Sequence, residues 1–124
     1  MAETVLQPSS LADLQTIFAA NTYVAIDFYA DWCGPCKVIS PVFASLASKH
    51  GVKDTLAFAK VNVDNARDIA QKYQISAMPT FMFFKDGKQV GVNGQALIRG
   101  GDVRGLTAAA EKLGALARKR VEGL

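Results

Sequence analysis

The segment Tyr23 to Ala30 (YVAIDFYA) constrains the fold of this chain more than any other. It is β-branched and aromatic, apolar almost throughout, and preceded by turn-like residues. A strand with one face in water alternates apolar and polar residues, whereas a near-continuous apolar run marks a strand covered on both faces. Leu56 to Val63 (LAFAKVNV) repeats the pattern, and Thr80 to Phe84 (TFMFF) supplies a third strand. Asp27 is the single charge of the first run, and Lys60 sits in the middle of the second.

Between these runs the spacing is helical. Ser10-Leu-Ala-Asp13 has capping-box form and opens a helix with Leu11, Leu14, Ile17 and Phe18 on one face, ending near Asn21. Gly34 to His50 places Val38, Phe43, Leu46 and Ala47 at helical intervals, with Pro41 predicting a kink and Gly51 a stop. Ala66 to Tyr73 reads as a short helix behind an Asp64-Asn65 cap signal. Lys85-Asp86-Gly87-Lys88 is a hairpin signal leading to an antiparallel strand near Lys88 to Val92. Asn93-Gly94 is a second turn, so this edge region is interrupted before it resumes at Ala96 to Arg99. Asp102 caps a last helix through Leu106, Ala109, Ala110, Leu113 and Ala117, and its basic Arg118-Lys119-Arg120 end suits the negative pole of the helix dipole. The order predicts one α/β domain over residues 1–124, a mixed central sheet of parallel βαβ plus an antiparallel hairpin, with helices on both faces.

A chain of 124 residues can bury a core without staples, and two cysteines are too few for a disulfide scaffold. With 14 basic and 11 acidic side chains the net charge is +3, and the seven Phe are not interleaved with basic residues, so nucleic-acid binding is not expected. Met1 to Gln7 lacks the basic-then-apolar pattern of a signal peptide, and no apolar run approaches the roughly 18 residues of a membrane span. The expectation is a cytoplasmic, reducing compartment without membrane contact, where a close cysteine pair reads as redox chemistry or metal binding.

That pair lies in Trp32-Cys33-Gly34-Pro35-Cys36-Lys37, where the first strand passes into the long helix. Cysteines three apart at a helix start have Cα atoms about 5 Å apart, a separation that permits a reversible disulfide. Free N–H groups and the positive dipole end favour an anion there, so Cys33 is the expected nucleophile. Cys36, one turn in and more covered, would resolve a mixed disulfide formed at Cys33. Gly34 leaves the backbone open to an incoming chain, and Pro35 suits a first-turn position. Zinc needs two further ligands, and the chain has no third cysteine and a single histidine, His50, which reads as an ordinary helix-end cap; no metal is expected. An inert thiol pair would leave Trp32 and the Gly-Pro insert without purpose.

A carboxylate on a strand buried on both faces is costly. Asp27 therefore either takes the proton of Cys36, directly or through a water, or forms a structural ion pair with Lys60, or lies at a solvent-facing edge. Met78-Pro79-Thr80 starts the third strand, where proline belongs. A cis bond is the minority isomer, about 5–6% of X–Pro bonds, so this arithmetic alone predicts trans.

The run Asp27-Phe28-Tyr29-Ala30-Asp31-Trp32-Cys33-Gly34-Pro35-Cys36-Lys37, then Pro41, Lys60-Val-Asn-Val-Asp64, Ala77-Met78-Pro79-Thr80-Phe81 and Lys85-Asp86-Gly87, resembles the thioredoxin family in order and spacing over about residues 4 to 113. The resemblance implies the three-layer thioredoxin fold, with Asp27 as the buried acid near the cysteines and Lys60 interacting with it. It implies that Pro79 is a cis-proline facing the Cys33–Cys36 redox disulfide, and that Met78 presents backbone to an extended substrate. Gly100 would line the docking surface with Trp32, with Gly94 a rival for that position. The implied activity is general protein disulfide reduction: a protein-disulfide oxidoreductase with no bound cofactor, acting on disulfide-containing targets as a monomer and regenerated by an NADPH-dependent thioredoxin reductase.

Three features depart from the family. Tyr29 stands where many members have Trp, Val90 to Leu97 is about four or five residues longer than the usual edge strand, and 114–124 extends as a prolonged last helix that frays. A disulfide oxidase or isomerase would use the same fold, although Pro35 resembles the reducing members. A non-enzymatic module could use the Trp32, Met78 and Gly100 surface to hold a partner.

Overall fold

A computed structural model describes residues 4–123. Its elements are β1 (Val5–Leu6), α1 (Leu11–Ala20), β2 (Tyr23–Tyr29), α2 (Gly34–His50), β3 (Leu56–Asn62), α3 (Arg67–Lys72), β4 (Thr80–Lys85), β5 (Lys88–Val90), β6 (Leu97–Arg99) and α4 (Val103–Glu122). One sheet runs β1-β3-β2-β4-β5, with β6 also on β4. β1, β3 and β2 are parallel, and β4 is antiparallel to β2 and to the edge strands. The sequence reading omits β1, because two residues carry no periodicity. What orders them is the open edge of β3, where Val5 pairs with Phe58 and Leu6 with Ala59.

Strand alternation sorts the side chains into two cores. Ala25, Phe58, Phe81 and Phe83 face α2 and α4, meeting Ile39, Phe43 and Leu113. Val24, Ile26, Phe28 and Phe84 face α1 and α3, meeting Leu14, Phe18 and Ile69. Phe43 anchors the first core, with ring centroids 5.5 Å from Phe58 and 5.8 Å from Phe81. A buried side chain of this kind contributes about 1.5–3 kcal/mol by transfer from water. Strands covered on both faces are thus a consequence of the three layers, as the apolar runs require.

Helix ends show where local signals hold and where tertiary contacts replace them. Ser10 caps α1 by accepting the Asp13 N–H at 3.1 Å. Asp13 reaches back to Ser9 rather than to Ser10, accepting from its N–H and its hydroxyl, and these bonds hold the Asp13 carboxyl below its ordinary value. The Asp64-Asn65 cap signal is not realised: Ala66 occupies the cap of α3 with no side-chain bond. Asp68, in the first turn of α3, instead accepts the Leu11 N–H at 2.8 Å and so supports the start of α1.

β5 and β6 are two halves of one edge strand. Phe83 pairs with Val90 and its neighbour Met82 pairs with Leu97, so six residues, Gly91 to Ala96, leave the ladder and return in register. Asn93 (φ 53°) and Gly94 (φ 80°) turn the tip in the left-handed region that favours these residues. The excursion tucks Val92 into the α2/α4 core, and Gln89 Nε2 ties its return by donating to the Ala96 carbonyl at 3.1 Å.

Asp102 caps α4 by accepting the Gly105 N–H at 2.9 Å, and the helix runs on to Glu122. His50 is not the capping residue expected. It is buried at the α2–α4 seam with neither ring nitrogen hydrogen-bonded among the described residues. Burial first, then the nearby Lys49 and Arg118 charges, lower its pKa. Gly114 faces this seam; a Cβ there would lie 3.0 Å from His50 Nδ1, a tight contact that the ring would have to relieve by a few tenths of an ångström.

Candidate active site

The end of β2 delivers Cys33 to the start of α2. Cys33 is the N-cap residue, with extended backbone, and its Sγ accepts the Cys36 N–H at 3.2 Å. Gly34 and Pro35 follow in the first turn, where proline has no amide bond to lose. The two cysteines form a disulfide with Cα atoms 5.3 Å apart, which matches the separation expected from the helix geometry. Nothing lies within 4 Å of a Cβ built on Gly34, so this side of the turn is open.

Residue burial separates the two cysteines in the expected direction but only slightly, Cys33 being 5% exposed and Cys36 3%. Both cluster with Ala30, and Tyr29, Val63 and Met78 pack against that cluster. Position on the helix does separate them, since only Cys33 carries its sulfur at the cap.

Asp27 sits at the middle of β2, 3% exposed, which removes the edge alternative. Its Oδ1 has no hydrogen-bond partner among the described residues. Burial pushes its pKa up to about 7, and the Lys60 charge pulls the other way. Lys60 is opposite Asp27 in the parallel register, but its ammonium lies over the Tyr29 ring, 5.8 Å from the centroid. The expected partnership is therefore through space and not through a bond to Oδ1. Asp27 and Cys36 line one cavity of about 280 Å³ with Lys37, Ser40 and Lys60. That volume and its polar groups suit water.

Trp32 stands 70% exposed beside the disulfide. Its Nε1 donates to Asp64 Oδ2 at 3.0 Å, while the Asp64 N–H donates to Asn62 Oδ1 at 3.0 Å. Asp64 is the site residue the sequence reading missed, having been assigned to a helix cap. The strands leading to the two residues end as a pair at Tyr29 and Asn62, and the hydrogen bond joins the segments that leave them. Trp32, Val63, Asp64, Arg67 and Met78 line a groove of about 350 Å³ next to the cysteines.

The Met78–Pro79 bond is cis, against the isomer arithmetic and in line with the resemblance. Gly100, at φ 77°, donates its N–H to the Pro79 carbonyl at 2.9 Å, and Thr80 Oγ1 donates to the Ala77 carbonyl at 2.7 Å. Gly94 belongs to the edge excursion, so it is Gly100 that adjoins the proline. Among the described residues, no three His, Cys, Asp or Glu side chains are grouped to hold a metal ion.

Comparisons with known proteins agree with this geometry. The Thioredoxin family model matches residues 7–99. A thioredoxin-like protein of Fusarium culmorum is 65% identical over 111 residues, covering 90% of this chain and 92% of that protein. The thioredoxin of Neurospora crassa is 50% identical over 120 residues, covering 97% and 94%. The crystal structure of Malassezia sympodialis thioredoxin superposes with a TM-score of 0.78 at 38% identity, covering 91% of this chain and 93% of that one. Since the family match runs through both cysteines and the cis-proline, the chain belongs to the thioredoxin family, and the Cys33–Cys36 pair makes it a protein-disulfide oxidoreductase.

Proposed function

We propose that the chain is a general disulfide reductase in which Cys33 attacks and Cys36 resolves. The carrying observation is the position of Cys33 Sγ at the cap of α2, accepting an amide N–H. Such a bond and the dipole of a long helix stabilise the thiolate over the thiol. The Cys33 thiolate attacks one sulfur of a target disulfide, forming a mixed disulfide and releasing the other target sulfur as a thiolate, which takes a proton from water. Cys36 gives its proton to Asp27, through water in their shared cavity, and attacks Cys33 Sγ. The second target thiolate leaves, and the Cys33–Cys36 disulfide closes. Two electrons pass to the target and the dithiol is oxidised.

Trp32, Met78 and Gly100 form the docking surface in this reading, and Pro79 faces the disulfide. Regeneration takes two electrons from NADPH through a thioredoxin reductase, so no cofactor is bound here. The protein works as a monomer in the cytoplasm, a reading supported by its low cysteine use and its reducing chemistry. Reduction of insulin disulfides, driven by dithiothreitol or by NADPH with reductase, tests it. The wild type is active and Cys33→Ser is not; an inactive wild type or a fully active variant overturns the assignment.

A further inference from the structure

We propose that Tyr29 is a positioning residue for the acid–base step: its ring holds the Lys60 ammonium at the wall of the Asp27–Cys36 cavity. The inference rests on the reading of Asp27 as the proton acceptor of Cys36. Asp27 and Tyr29 are two apart on β2 and so project from the same face; on β3 they pair with Lys60 and Asn62. Lys60 is therefore opposite the carboxylate and diagonal to the ring. It takes the diagonal contact, with Nζ 5.8 Å from the ring centroid, within the about 6 Å reach of a cation–π interaction.

Lys60 also lines two cavities, the one of about 280 Å³ with Asp27 and a smaller one of about 80 Å³ with Gln7, Ser9 and Asn62. Tyr29 borders both. A lysine on a flexible four-carbon stem, half-buried between two cavities, has several places to go. The ring selects one, near enough to act on Asp27 as a charge while leaving Oδ1 free to take a proton. Tyr29, a departure from the Trp common in the family, is thus part of the device that sets the carboxyl.

The other charged groups on that cavity are Asp31 in the turn after β2 and Lys37 on α2; β4 presents the apolar Phe81 opposite Asp27. They are the same in every variant below. The test is the titration of the Asp27 carboxyl carbon by NMR in the oxidised protein. This readout needs no substrate, so its failure is distinct from failure of insulin reduction. Tyr29→Phe keeps the ring and titrates as the wild type. Tyr29→Leu frees Lys60 toward solvent; a contact of this strength biases populations about 2- to 5-fold, so the midpoint rises, by at most about 0.3–0.7 pH units. Lys60→Gln raises it at least as far, and Tyr29→Leu adds nothing in the Lys60→Gln background. If Tyr29→Leu does not fold, Tyr29→Met carries the same expectation. No shift in the ring-deleted variant, an equal shift in Tyr29→Phe, or an undiminished shift without Lys60 overturns the proposal.

Discussion

Asp27 and Cys36 stand on the wall of one cavity of about 280 Å³, the carboxylate carried by the central strand and the sulfur by the first turn of α2. The sheet buries the acid and the helix brings the thiol to it, so neither element alone makes the site.

That burial has a cost in stability with a defined pH window. The Asp27 pKa rises from 3.8 to about 7 on folding. Between those values the folded state keeps a proton that the unfolded state has lost, so stability falls as pH rises through the window and the full cost is present above it. Asp27→Asn removes the charge. It should be more stable than the wild type at pH 8, by up to about 4 kcal/mol, with the difference vanishing near pH 4. Urea denaturation at the two pH values measures this; an equal difference at both contradicts it.

The same substitution should slow the second half of the reaction. Without an acceptor for the Cys36 proton, resolution of the mixed disulfide at pH 7 drops by about 100-fold or more, while attack by Cys33 is little changed. Rapid-quench trapping of the intermediate reads the two steps separately. Unchanged resolution would remove Asp27 from the mechanism.

Trp32 is held by an acid that is not its sequence neighbour. Asp64→Ala frees the indole from its 3.0 Å bond and leaves an exposed ring without a fixed orientation. A net hydrogen bond of about 1 kcal/mol corresponds to about a 5-fold loss in kcat/KM for protein disulfides. Reduction of a small disulfide that does not touch Trp32 should be unaffected. Equal losses on both substrates would mean that Asp64 acts elsewhere.

The edge excursion allows a deletion test of register. Removing Gly91 to Ala96 joins Val90, opposite Phe83, directly to Leu97, opposite Met82, and keeps the alternation of faces. The loss of buried Val92 costs about 1.5 kcal/mol, so the variant should fold with activity near that of the wild type. Removing only Gly91 to Gln95 shifts the pleat by one residue and turns Leu97 and Ile98 out of their cores, so it should be far less stable. Thermal melts of the pair check this, and equal stability would contradict the register.

What could be read before the structure follows from the range of each signal. Tyr23–Tyr29 and Leu56–Asn62 were legible because burial on both faces writes itself into every residue of a strand. The cysteine turn was legible because its geometry is that of one helical turn. β1 was not, since its order comes from the edge of β3 rather than from its own two residues. His50 looked like a cap by its place in the chain, yet it is buried at the α2–α4 seam beside Gly114, distant in sequence. Asp64 looked like a cap for the same local reason and was claimed by Trp32 instead. The Asn93-Gly94 turn was visible, but the continuity of β5 with β6 exists only against β4. In each case the missing information lay on another element.

The division of labour between the two sulfurs is most directly tested by intact-protein mass spectrometry of reduced Cys36→Ser incubated with a disulfide-containing target. The account predicts a stable mixed disulfide on Cys33, released by dithiothreitol, and no adduct on reduced Cys33→Ser. An adduct on Cys36 in Cys33→Ser of equal yield, or none on Cys36→Ser, would contradict it.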